Sequence, residues 1–402
     1  MLNIPQFIAS NITFRAESMF ANDIEANKEK LRTEIENKSV LVIGGAGTIG
    51  SSFIRAVLKF KPSKLFVVDI NENGLTELTR DLRSTADCYV PEIYITYPVN
   101  FADTVFEKIF RNEGGFDIVA NFSAHKHVRS EKDLYSVEAL IKNNVLNARK
   151  LLDLLSQFPP QHFFCVSTDK AANPVNIMGA SKKIMEDLIM TYSTKYPITT
   201  ARFANVAFSN GSLLEGFIQR LMKKQPLSAP NDVRRYFVSP EESGQICMLA
   251  CMLGKSGEIF FPKLQPEQML TFAEITTAFL KSLGFNAVEC ESDETARQMA
   301  KNRSETDTNY PVYYFASDTT GEKAYEEFFT NSEDLELNTF KALGIIKNVP
   351  KRPISEIDDF FATLTQLFQN NNTTKSHIVK AMKDFLVNFE HEEKGKNLDS
   401  KM

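Results

Sequence analysis

Between Ser39 and about residue 203, short apolar runs alternate with longer stretches in which apolar residues recur at helical spacing. The runs fall at 40–43, 65–68, 93–95, 118–121, 162–166 and 199–203. Between the first two, Ile49, Phe53, Ile54, Val57 and Leu58 fall on one face of a helix. Strand-sized apolar runs separated by amphipathic helices predict an α/β fold, a Rossmann-type doubly wound parallel sheet covered on both faces. The alternation fades after residue 210, where 259–262 and 312–315 read as strands within a mixed region. Upstream, Met19, Phe20, Ile24, Leu31 and Ile35 keep a loose helical spacing, which predicts a helical arm packed on the main domain. Pro350 and Pro353 precede two further helical patterns, 354–368 and 376–389, separated by Asn370, Asn371 and Asn372.

Four segments follow from this pattern. Residues 1–38 form the arm, and 39–210 the doubly wound domain. Residues 211–350 make a smaller mixed domain, and 351–402 a helical extension whose charged end frays.

Composition narrows the function more than the fold. With 402 residues, 43% hydrophobic and 24% charged, the chain can bury an ordinary core. A net charge of −5 with scattered basic residues argues against a nucleic-acid partner. No apolar run approaches the roughly 18 residues of a membrane span. The first residues lack a basic region followed by an apolar one, so a cytoplasmic location is expected. Among five cysteines, Cys247 and Cys251 lie in an apolar helical stretch with no histidine nearby, so they read as core residues and no metal site is expected.

The first strand runs into Gly44-Gly45-Ala46-Gly47-Thr48-Ile49-Gly50, and a helix follows. Strand, glycine loop and helix in this order form a dinucleotide-binding signature. Among Gly44, Gly47 and Gly50, one permits the tight turn, one lets backbone approach a pyrophosphate, and one lets helix pack on strand. Thr48 and Ile49 open the helix, whose free N–H groups and positive dipole end favour phosphate. Asp69 ends the second strand, where an acid accepts hydrogen bonds from ribose hydroxyls and favours NAD. A helix N-cap is the other reading of Asp69. Arg80 and Arg83 follow closely enough to meet a 2′-phosphate, which keeps NADP open.

At the end of the fifth strand come Ser167, Thr168, Asp169 and Lys170. A hydroxyl, an acid and a base at the carboxyl edge of a parallel sheet lie where ligands bind. A solvated loop of the same residues is the alternative.

The Gly-x-x-Gly-x-x-Gly spacing resembles short-chain dehydrogenases of the extended type. On that resemblance, Asn121, Ser123 and Ala124 pass beneath the nicotinamide-side ribose, and Asn144 is the helix asparagine behind the active site. Extended members carry Tyr-x-x-x-Lys, whereas this chain keeps Lys182 and has Met178 at the tyrosine position. A thioether transfers no proton. Either the chain is a dinucleotide-binding sensor, or its proton transfers have moved to Thr168, Asp169 and Lys170. The second reading fits the run 166–174 followed by Met178-Gly179-Ala180-Ser181-Lys182. These segments resemble bacterial polysaccharide-biosynthesis dehydratases acting on nucleotide-linked N-acetylglucosamine. Similar segments are 124–131, Arg202-Phe203-Ala204-Asn205-Val206, 209–213, Arg235-Tyr236-Phe237 and 317–327. The similarity extends over roughly residues 15–350 and includes the dehydratase of legionaminic-acid biosynthesis. Asn100 departs from it, standing where an aspartate near the adenine is usual.

The resemblance implies 4,6-dehydration of a UDP- or GDP-linked N-acetylglucosamine with bound NAD, or NADP, by a homo-oligomer, a dimer or higher. Oxidation at C4 acidifies the C5 proton, which leaves modest work for a base. Lys170 is the expected C5 base, kept partly neutral by burial, and Asp169 the acid that protonates the departing C6 hydroxyl. Lys182 is expected to bind the nicotinamide ribose, and Thr168 the C4 hydroxyl. Lys126, Asn205 and Arg235 are the expected substrate contacts, Arg235 at the diphosphate. A nucleotide-sugar 4-epimerase is the rival enzyme, although it needs no C5 base.

Overall fold

The computed structural model describes residues 3–317, 323 and 325–391. Parts of the segments 317–327 and the charged end from 392 onward lie outside the described residues, as does the side chain of Arg129.

Six strands follow one another through the first half: β1 (Ser39–Ile43), β2 (Lys64–Val68), β3 (Ile93–Tyr97), β4 (Ile118–Asn121), β5 (His162–Val166) and β6 (Ile198–Ala201). The helices of this half are α1 (Ile4–Asn11), α2 (Ala21–Ala26), α3 (Lys28–Ile35), α4 (Thr48–Leu58), α5 (Glu72–Ser84), α6 (Thr104–Asn112), α7 (Leu134–Ile141), α8 (Asn147–Gln157) and α9 (Ile177–Tyr192). The six strands lie in the spatial order β6-β5-β4-β1-β2-β3, all parallel. This is the doubly wound α/β fold. The order reverses between β1 and β4, so the loops leaving their carboxyl ends part and open a crevice.

The segment 259–262 departs from the sequence reading, which set it in the mixed region. Strand Glu258–Pro262 instead pairs in parallel with β6 and extends the main sheet. Every residue of it is buried, as expected of an interior strand covered on both faces. Leu343–Lys347 then adds antiparallel to it.

A second apolar cluster lies beside the main sheet. It joins Phe208, Leu214, Phe217, Phe237, Phe279, Tyr310 and Val312 under a small sheet of Asn286–Glu289, Asn309–Phe315 and Leu227–Pro230. The arm serves both cores. Phe20, Leu31 and Ile35 are buried in the main one, while α1 inserts Phe7 between Phe208 and Phe279, with ring centroids at 5.9 and 5.6 Å. Helices Ile354–Gln369 and Lys375–Phe385 place Phe360, Leu364, Ile378 and Met382 against α7 and α9, forming a third cluster.

Candidate functional site

Two crossing loops build the floor of the crevice. Gly44 has φ +74°, a left-handed conformation that favours glycine. A Cβ there would lie 2.6 Å from Ser123 N and 2.8 Å from the carbonyl carbon of Phe122, so the loops after β1 and β4 touch. Gly50 packs so closely that a Cβ would collide with the Gly44 carbonyl, which holds α4 against its strand. A Cβ on Gly47 would meet nothing nearer than Gly44 O at 3.5 Å, so space remains above the helix start. Open space, a helix N-terminus and Thr48 beside it fit a pyrophosphate. Ile49, half-buried, follows in the first turn.

Asp69 accepts from the N–H of Ala46 at 3.0 Å and of Asn71 at 2.9 Å. It therefore braces the glycine loop, and the N-cap of α5 is Asn71 rather than Asp69. Arg80 is exposed beside Glu77, and Arg83 lies over the ring of Tyr94. Asn100 accepts from Ala102 N and braces the turn after β3.

The asparagines after β4 act on backbone. Asn121 Oδ1 accepts from Ser123 N at 3.0 Å, which fixes the loop that carries Ser123 and Ala124. Asn144 sits in a π-helical turn, Lys142–Leu146, a distortion frequent at functional sites. Its amide accepts from His125 N at 2.8 Å and donates to His125 O at 2.9 Å and Ser181 Oγ at 3.0 Å. The β4 loop is thereby clamped to α9. Lys126 then donates to Asn210 O at 2.8 Å, and Asn210 N donates to Thr48 Oγ1 at 2.9 Å. Burial lowers the pKa of Lys126.

Thr168 caps a short turn, Asp169–Ala171, at the end of β5. Its hydroxyl donates to Asp169 Oδ1 at 2.8 Å, and the same oxygen accepts from Lys170 N at 2.9 Å and Lys170 Nζ at 3.0 Å. Glu326 Oε1 lies 3.7 Å from Lys170 Nζ on another side and 4.0 Å from the Arg235 guanidinium. Burial alone would lower the Lys170 pKa, but Asp169 and Glu326 outweigh it and raise the value, against opposition from Arg235. The expectation of a lysine made partly neutral by burial is thus corrected. Asp169 and Glu326 favour its charged form.

Lys182 is 3% exposed and donates to Val166 O at 2.9 Å, and burial lowers its pKa. Met178 is 3% exposed in the third apolar cluster, and its N–H donates to Glu131.

Lys126, Lys170, Asn205, Arg235 and Glu326 converge on one cavity of about 630 Å³, apolar on the side of Leu214, Phe237, Phe272 and Phe315. Ser209 and Gly211 of the segment bonded to Thr48 also line it, so it adjoins the start of α4. Thr168, Asp169, Met178 and Lys182 do not line it. Arg235 is buried, and its guanidinium donates to Lys323 O at 3.0 Å.

Sequence reasoning missed three roles. Glu326 was seen only as part of a motif. Arg202 is fully buried and pairs with Glu186 at 2.7 Å and Glu333 at 2.9 Å, while donating to Phe328 O at 3.0 Å. Glu186 also accepts from Ser167 Oγ at 2.6 Å. Arg220 of helix Leu213–Met222 lines the cavity as a further cation. An arginine at the end of a buried strand was the one available signal, since such a charge needs buried partners.

The family model described as polysaccharide biosynthesis protein matches residues 40–348. The chain belongs to that family. Among its relatives is MJ1061 of Methanocaldococcus jannaschii, described as an uncharacterized membrane protein, which is 31% identical over 60% of this chain and 71% of its own length. The capsular polysaccharide biosynthesis protein CapD of Staphylococcus aureus is 29% identical over 61% of this chain, and the match spans only 41% of CapD. An inverting UDP-N-acetylglucosamine 4,6-dehydratase of Campylobacter jejuni is 23% identical over 76% of this chain and 89% of its own length. Two solved structures share the fold. Pen of Bacillus thuringiensis superposes with a TM-score of 0.63 at 20% identity, covering 82% of this chain and 98% of Pen. DesIV of Streptomyces venezuelae, a dTDP-glucose 4,6-dehydratase with NAD bound, has a TM-score of 0.54 at 19% identity over 72% of this chain and 87% of DesIV. Among the described residues no helix is long and apolar enough to cross a membrane.

Proposed function

We propose that this chain removes water from a nucleotide-diphosphate N-acetylglucosamine, giving the 4-keto-6-deoxy sugar with the help of bound NAD. One observation carries the reading: a lysine held by an aspartate that also accepts from the Thr168 hydroxyl, at the end of β5, faces a cavity that adjoins a dinucleotide-type glycine loop. The likeness to the Campylobacter dehydratase supports the substrate class.

Gly44, Gly47, Thr48, Ile49 and Gly50 would receive the pyrophosphate. Asp69 would face the adenosine ribose, and Ser123, Ala124 and Lys182 the nicotinamide side. Asn121 and Asn144 hold the loop in place for it. When bound, NAD supplies the oxidation at C4 and the later reduction at C6, so no external reductant is consumed. With Arg80 beside Glu77 and Arg83 on Tyr94, NAD is favoured over its 2′-phosphorylated form.

The chain's own residues move the protons. Thr168 hydrogen-bonds the C4 hydroxyl and passes its proton to Asp169 along an existing 2.8 Å contact. This relay takes the place of the missing tyrosine. Lys170, once it has given up its own proton, removes the proton at C5, which the C4 ketone has made acidic. The departing C6 hydroxyl needs a carboxyl that faces the cavity. Arg220, Arg235 and Lys126 are the cations suited to the diphosphate, and the aromatic wall to the nucleotide base.

Incubating purified protein with UDP- and GDP-linked N-acetylglucosamine, followed by mass spectrometry, tests the reading. Loss of one water without accumulating NADH is expected. A new sugar of unchanged mass would mean 4-epimerisation, and no turnover of either substrate would remove the proposal.

A further inference from the structure

We infer that Glu326 is the carboxylic acid that protonates the departing C6 hydroxyl, an assignment that rests on the dehydratase reading above. Asp169 was the acid expected from its place beside Lys170. The geometry favours Glu326: it lines the cavity, whereas Asp169 does not. Asp169 is also occupied as the acceptor for Thr168 and Lys170.

The surroundings of Glu326 suit an acid. It is 4% exposed, and burial raises its pKa, with the charge of Asp169 adding to that and Lys170, Arg235 and Lys323 opposing it. Its segment is fastened in place. Lys323 Nζ donates to Asn173 O, Asn173 donates to Glu327 at 2.9 Å, and Arg202 holds Phe328 O and Glu333.

Lys170 lies between the two carboxyls, and this position balances the proton account. Before reaction the ammonium of Lys170 faces two carboxylates. As C4 is oxidised, the hydroxyl proton goes through Thr168 to Asp169. One proton shift from Lys170 to Glu326 then makes a neutral amine and a carboxylic acid together. The amine takes the C5 proton, the C5–C6 double bond forms, the C6–O bond breaks, and Glu326 protonates the leaving oxygen to give water. Lys170 returns its proton to C5 as C6 is reduced, and Asp169 gives its proton back to Lys170. All three groups end as they began.

The test pairs UDP-N-acetylglucosamine with its 6-deoxy-6-fluoro analogue, since fluoride departs without needing a proton. For Glu326→Gln, water loss should fall about 100-fold or more relative to fluoride release, when each is scaled to wild type. Glu326→Asp, a smaller change in the same charge class, should shift that ratio in the same direction. A ratio unchanged in both variants would overturn the assignment and leave Glu326 as a support for Lys170. A fall in that ratio confined to Asp169→Asn would give the role to Asp169. Wild-type protein that eliminates neither water nor fluoride would instead sink the dehydratase reading itself.

Discussion

Met178 shows how a position loses one role without leaving a gap. The side chain is enclosed with Val137, Leu140, Ile177, Ile378 and Met382, an apolar setting that a flexible thioether fills well. A phenol there would bury a hydroxyl and add volume to a packed cluster. Met178→Tyr should therefore lower stability by about 1–3 kcal/mol in a thermal or denaturant melt. It should also leave dehydration no faster than wild type, and a clear gain in rate would contradict the Thr168–Asp169 relay. Lys170 illustrates the limit of reading a residue alone. Its burial and its neighbour Asp169 were foreseeable, but the second carboxylate that joins Asp169 in opposing the effect of burial comes from a residue 156 positions away.

At the scale of elements, the end of β6 governs how the catalytic segment is held. Arg202 bonds α9 through Glu186, and through Phe328 and Glu333 the segment that carries Glu326. Replacing it by methionine strands two carboxylates, Glu186 fully buried and Glu333 largely so, a loss of about 3–5 kcal/mol measurable by chemical denaturation. The pH dependence carries a sign. Burial alone would raise the Glu186 pKa, but Arg202 outweighs it, and the value in the folded protein lies below the ordinary carboxylate range. The unfolded chain therefore binds a proton first as pH falls. The stabilisation is complete above roughly pH 4.3 and lost as pH drops through the folded value. Glu186→Gln should flatten that acid limb of the stability curve, and an unchanged slope would show that the pair contributes nothing to it.

Over the whole molecule, three apolar clusters meet at the site from different directions. The main sheet supplies the strand ends, the small sheet supplies the far wall of the cavity, and the third cluster backs α9. Helices Ile354–Gln369 and Lys375–Phe385 cover apolar residues of α7 and α9. A chain ending before Ile354 would expose Leu140, Ile141, Ile177 and Ile184 to water. Such a chain should self-associate in light scattering, whereas the full chain should not precipitate under the same conditions. A truncated chain that stayed dispersed would show that another surface covers this face.

The six parallel strands, the glycine loop and the hydroxyl-acid-base set at the end of β5 were legible because each rests on neighbours in sequence. Apolar periodicity reports which face of an element is buried, and glycine spacing reports a turn that other residues resist. The partners of those groups were not legible. That 258–262 returns to the main sheet, that Asp69 braces Ala46, and that Asn144 clamps His125 depend on contacts between distant segments. The second carboxylate beside Lys170, Glu326, belongs with these. A buried amine takes its protonation state from whichever carboxylates the fold brings within a few ångströms, and chain order does not record that distance.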